Sequence, residues 1–197
     1  MINCENNNRP KFITKPGFWA KHHDYLNCGS FALNVMEWYV PYDNECEDRM
    51  EAMVDYIRQG DTAAEVYEKI MDADVKFMLW QFSDILIPIS YEKMLTLPKE
   101  TTVIAYRIGI VFDGDWEDVD ICDIDEDFHF KVRRNGQWME KQGHREVRHC
   151  ELNPDEPWPI RSDRELRYDS EIKYFIYNQE NAVNYDDDDD EEDEDED

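Results

Sequence analysis

Cys28 stands where a polar run, Asp24-Tyr25-Leu26-Asn27, gives way to Gly29-Ser30 and the apolar Phe31-Ala32-Leu33. Such a junction marks a helix start. The first turn of a helix presents unpaired backbone N–H groups and the positive end of the dipole. Both favour thiolate over thiol, and the thiolate is the nucleophile. A cysteine nucleophile also needs a base that can hold a proton near neutral pH, usually histidine. His129 is the best candidate, because it lies on a predicted strand with Phe128 and Phe130 directed to the opposite face. The Asn135-Gly136 pair that follows is the strongest short hairpin signal. Pairing about that turn sets Gln137 to Glu140 alongside residues 130 to 133. Glu140 then lies near His129, as a carboxylate that orients the imidazole and stabilises its charged form.

Each residue has a plainer reading. A cysteine at a helix start is commonly a small buried hydrophobe, and a strand histidine is commonly a satisfied core side chain. The order of the pieces weighs against both: Asn27-Cys28 through Ala32-Leu33-Asn34, then Asp127-Phe128-His129-Phe130, then the Gly136-Gln137-Trp138 hairpin. This layout resembles that of papain-like cysteine hydrolases, and within them a compact bacterial and phage group with an NlpC-like arrangement. The resemblance covers about 35 residues in three segments. It implies a papain-like α+β fold with N-terminal helices packed on an antiparallel sheet, Cys28 as nucleophile, His129 as base, and no metal or organic cofactor. It also makes His22, six residues before Cys28, a weak candidate oxyanion donor. Where that group tends to carry Ser-His after the hairpin tryptophan, this chain has Met139-Glu140. The second cysteine of the papain signature is absent, because Phe31 occupies its place.

The elements that must hold these groups follow from patterning. A helix is expected from about Cys28 to Tyr39, ended by Pro41. Met50, Met53, Val54 and Ile57 make residues 45–59 amphipathic up to Gly60, and Asp61 is the expected cap of a further helix through Ala64, Val66, Tyr67 and Ile70. Residues 101–112 are rich in β-branched and aromatic types and read as a strand. The acidic stretch 113–127 reads as a solvated loop, because its glycine falls in the wrong place for a calcium loop. The hairpin follows, and a late strand is expected in Glu171-Ile172-Lys173-Tyr174-Phe175-Ile176-Tyr177-Asn178. Helices first and strands second make an α+β order.

The chain has 197 residues and a net charge of −27. Its last twelve residues, 186–197, are all acidic, so residues 1–185 still carry −15. The expected organisation is a papain-like domain over 1–185 and a disordered acidic tail over 186–197, since the tail has nothing apolar to bury. Such charge disfavours binding to nucleic-acid phosphates and suits a protein or peptide substrate, a basic one best of all. No run approaches a membrane span and the first residues show no secretory pattern, so a cytoplasmic location is expected. Five cysteines, at 4, 28, 46, 122 and 150, with no CxxC pair, read as free thiols. His144, His149 and Cys150, with Cys122 and Asp123 as completions, form one cluster where zinc usually requires two close pairs, and read as surface groups. The expected activity is amide hydrolysis through a thioester. The alternative is an inactive acidic binding module or inhibitor, a nucleic-acid mimic that occupies a basic surface.

Overall fold

The structure, a computed structural model, describes residues 26–35, 38–42, 46–112, 119–143, 145–159 and 167–178. The lead-in 1–16, the aromatic segment 17–25 with His22, residues 113–118 of the acidic stretch, His144 and the tail 186–197 lie outside these.

Three helices come first: α1 (Cys28–Leu33), α2 (Cys46–Arg58) and α3 (Ala63–Gln81). Strand β1 (Leu86–Ile89), helix α4 (Tyr91–Thr96) and strand β2 (Val103–Phe112) follow. A short 3-10 turn (Ile121–Asp123) leads into β3 (Ile124–Arg134), β4 (Gln137–Glu140) and β5 (Arg148–His149). Then come β6 (Trp158–Pro159), β7 (Arg167–Tyr168) and β8 (Lys173–Tyr177). Six strands form one antiparallel sheet in the order β1-β8-β2-β3-β4-β5, and β6 pairs with β7 separately. The α+β order is therefore observed, with α1, α2 and α3 on one face of the antiparallel sheet and Met94 of α4 on the other.

The period-2 alternation of the long strands sorts side chains into two cores. Ile104, Tyr106 and Ile108 of β2, Phe130 and Val132 of β3 and Phe175 of β8 meet the three N-terminal helices through Phe31, Leu33, Met53, Val66, Ile70 and Met78. Val103, Ala105 and Tyr174 face the other way, onto Met94, Leu152, Trp158, Tyr168 and Ile172. Beneath the helices, Arg49 is buried between Asp74 and Glu126, and Tyr106 donates to Asp74. These charges are sustained only as a mutually bonded set.

Several elements differ from the sequence reading. Helix α1 stops at Leu33 rather than near Tyr39, because Asn34 takes the left-handed conformation (φ 59°) as its C-cap. The free carbonyls of its end are satisfied from afar: Arg134 donates to Phe31 O at 2.9 Å and the Tyr177 hydroxyl to Leu33 O at 3.0 Å. Thr62, not Asp61, caps α3, in a reciprocal capping box with Glu65. Residues 124–127 belong to β3 rather than to a loop. Strand β1 and helix α4 were not foreseen, since they are only four and six residues long and Pro88 reads as a breaker. Val103 and Ala105, expected with Phe130 to receive Phe31, Val35 and Trp38 of the first helix, face the second core instead, and Trp38 is exposed rather than packed on the sheet.

Candidate active site

The β3–β4 hairpin positions the imidazole. Asn135 (φ 50°) and Gly136 (φ 78°) give both central residues the positive φ of a type I′ turn. The register pairs Arg134 with Gln137 and Lys131 with Glu140, one residue on from the pairing expected, which brought in residues 130 to 133. Glu140 is consequently diagonal to His129, and its Oε2 lies 3.0 Å from His129 Nε2. The carboxylate accepts, so Nε2 carries the hydrogen and Nδ1 keeps its lone pair. Among the described residues no hydrogen bond engages Nδ1. Arg148 of β5 donates through Nε to the other Glu140 oxygen at 2.7 Å and also through Nη2.

Glu140 is buried. Burial acts to raise its carboxyl, but the hydrogen bond and charge of His129, with Lys131 and Arg148, outweigh that and hold it down at about 2. It is an anion throughout the neutral range. On the second face the imidazole is stacked on Tyr168, with ring centroids 5.1 Å apart and planes at 18°, and Trp158 meets it edge-on. The Tyr168 hydroxyl donates to Asp127 at 2.9 Å. That stack depends on the C-terminal segment staying against the sheet. Arg107 holds it there by donating to the carbonyls of Glu156, Asp169 and Ser170, and Lys131 holds Glu151 O at 2.8 Å.

The thiol sits at the sheet's edge. Strand β4 covers β3 only as far as Lys131, which leaves the flank of Phe128 and Phe130 bare. Cys28 Sγ takes that place, 3.9 Å from Phe128 O, with the Phe130 backbone N–H also directed to it. Asn27 caps the helix, accepting from Ser30 N at 2.9 Å while Ser30 Oγ accepts from Asn27 N at 3.2 Å. Gly29 is required by close approach: a Cβ there would lie 2.7 Å from the Tyr39 ring and 3.1 Å from Tyr39 O.

The thiol differs from the expectation of an exposed, acidified group. Cys28 is only 5% exposed. Burial, then the nearby charge of Asp127, push the thiol up to about 12. The backbone groups of Gly29, Cys28 and Phe130 pull it down, as a helix start should, and are outweighed. Cys28 and His129 face opposite sides of the sheet, yet both open onto one cavity of about 390 Å³ at its edge, along with Asp127 and Tyr168. The thiol's bond goes to Phe128 O, and no hydrogen bond joins it directly to the imidazole.

Cys28, His129 and Glu140 are thus brought to one region, with the His129–Glu140 bond made. Asp127, Arg148 and Tyr168 were missed as members. Asp127 carried a signal, since it precedes the histidine on the same strand and shares its face. Arg148 and Tyr168 lie in short irregular stretches where no pattern marks them. His149, Cys122 and Asp123 do not assemble, and among the described residues no group of three or more His, Cys, Asp or Glu is placed to hold a metal ion. Cys150 lies beside Lys131 and Glu140, its thiol raised to about 11 chiefly by burial. No described helix is long and apolar enough to cross a membrane. No protein-family model, curated protein or solved structure matches the chain.

Proposed function

We propose that this chain is a papain-like cysteine hydrolase that cleaves an amide bond in a protein or peptide through a thioester on Cys28. The observation that carries the reading is the shared cavity: a thiol and an imidazole open onto it, and the imidazole's far nitrogen is held by a buried carboxylate 3.0 Å away. The tautomer fixed by Glu140 leaves Nδ1 as the proton acceptor. Because the resting thiol is neutral, its proton passes to His129 as sulfur bonds to the carbonyl carbon, rather than beforehand. The imidazolium is stabilised by Glu140 and returns the proton to the leaving amine, which breaks the C–N bond and leaves the thioester. Water, deprotonated by the same Nδ1, then releases the acid and restores the thiol. The backbone N–H groups at the start of α1 are the nearest donors for the oxyanion. The net charge of −27 favours basic substrates in encounter.

A second reading has its own support. The raised thiol and its bond to Phe128 O rather than to His129 fit an inactive member that serves as an acidic binding module for a basic partner, a nucleic-acid mimic among the options.

Peptidyl acyloxymethyl ketones separate the two, because they occupy a substrate site before alkylating the nucleophile. The hydrolase labels at Cys28, with a rate that saturates with probe and is lost in His129→Ala. Labelling of Cys28 no faster than of exposed Cys122, or unaffected by His129→Ala, rules the hydrolase out.

A further inference from the structure

Residues 38–42 run past the start of α1 with burial that alternates. Tyr39 and Pro41 are buried, while Trp38, Val40 and Tyr42 are turned the other way and line the cavity. The chain carries no regular structure over 38–40 and bends at Pro41 and Tyr42, which brings Trp38, Val40 and Tyr42 onto the cavity. The segment is fixed where it runs. Asn27, the residue before the thiol, takes both backbone groups of Tyr39, donating from Nδ2 to its carbonyl and accepting from its N–H at 3.4 Å. Tyr42 is held between an edge contact with Phe128, at 6.1 Å between centroids, and the Arg49 guanidinium, 4.2 Å above its ring. Arg49 is in turn locked by Asp74 and Glu126. The opposite wall carries Gln142 and Arg145 and is polar. One wall is therefore apolar, anchored through the Tyr39 backbone and the Tyr42 ring, and it ends in Trp38, which is 48% exposed.

We propose that the Trp38–Val40–Tyr42 wall is a subsite for a large apolar side chain, aromatic or long aliphatic, on the acyl side of the amide that Cys28 attacks. The proposal rests on the hydrolase reading above. The side of the bond follows from the chemistry. The acyl part stays bonded to Cys28, next to the wall pinned by Asn27, and the amine departs with the proton from His129. The cavity's 390 Å³ is at the small end of ligand sites. It has room for one side chain and its adjoining amide. Covering the exposed part of the Trp38 indole, 48% of the residue, is favourable.

The experiment compares two acyloxymethyl ketones that differ only in the residue next to the electrophile, phenylalanine or glycine, with alkylation of Cys28 followed by mass spectrometry. The phenylalanine probe is expected to react at least about tenfold faster. In Trp38→Ala, whose side chain is at the surface and whose loss leaves the cores intact, the ratio of the two rates should fall about fivefold. Equal rates for both probes with Cys28 still labelled, or a ratio untouched by Trp38→Ala, overturn the subsite and leave the hydrolase standing. Absence of Cys28 labelling with either probe overturns both.

Discussion

His129 Nε2 and Glu140 Oε2 meet at 3.0 Å although the two residues are not register partners: Glu140 pairs with Lys131, and the bond runs diagonally across the hairpin. Arg148 holds the other oxygen of the same carboxylate.

Glu140→Gln keeps the shape and removes one acceptor. Arg148 takes the remaining oxygen, so the amide NH₂ faces Nε2 and forces the hydrogen onto Nδ1. The base is then lost, and Cys28 acylation is expected to fall about 10³-fold or more. Ring ¹⁵N shifts of His129 should report the change of tautomer. A rate within a factor of a few of wild type would contradict this role.

The same carboxyl sets an acid limit. It titrates at about 2 in the folded chain against 4.5 ordinarily. Its ionisation therefore stabilises the fold above about pH 4.5, and that contribution fades as the pH falls towards 2. The gap in melting temperature between wild type and Glu140→Gln should be widest near neutrality and close through that window. A gap that stays constant down to about pH 2.5 would place the stabilisation elsewhere.

Simple alkylation tells a different story from substrate-like probes. With the thiol at about 12, only about one molecule in 10⁴ is thiolate at pH 8. Iodoacetamide should react with Cys28 slowly, tenfold faster per pH unit up to at least about pH 10. Asp127→Asn removes the second cause of the shift and should raise the rate at pH 8 by about threefold or more. A plateau near neutral pH would mean that the thiol is acidified after all.

Gly109 reaches the site through β7. A Cβ there would lie 2.1 Å from Arg167 O and 2.8 Å from its carbonyl carbon, backbone that cannot swing aside. Gly109→Ala should push β7 off the sheet, carry Tyr168 away from His129, and lower both the melting temperature and the acylation rate. Tyr168→Leu, which drops the stack without the clash, should reproduce most of the rate loss with a smaller thermal effect. Unchanged acylation in Tyr168→Leu would show that the stack plays no part in the base's function.

What could be read in advance was local. Asn135-Gly136 fixes its turn by itself, and the Phe128-His129-Phe130 alternation fixes which side the imidazole takes, so the approach of Glu140 to His129 followed from a few neighbouring residues. The thiol's environment was not legible, because it is set by Asp127 and the bare flank of β3, about a hundred residues away in the chain. Helix α1 was read too long for a related reason. Val35 and Trp38 continue an apolar spacing, but Asn34 turns left-handed, where its side chain meets Arg134, and that partner is invisible locally. Tyr168 stands in a stretch with neither helical nor strand period, and only the tertiary fold shows that it covers the histidine.

Cys28 and His129 rest on different cores, Cys28 on the helical side of β3 and His129 on the side of Trp158 and Tyr168. The strand between them is therefore a ruler: a paired strand resists stretching along its length, so the spacing from Phe128 to Phe130 sets how far apart thiol and imidazole can drift. Each core can loosen without moving the other's reactive atom. Mutational drift in the helices would detune the sulfur alone, drift in the C-terminal segment the ring alone, and damage to β3 both together.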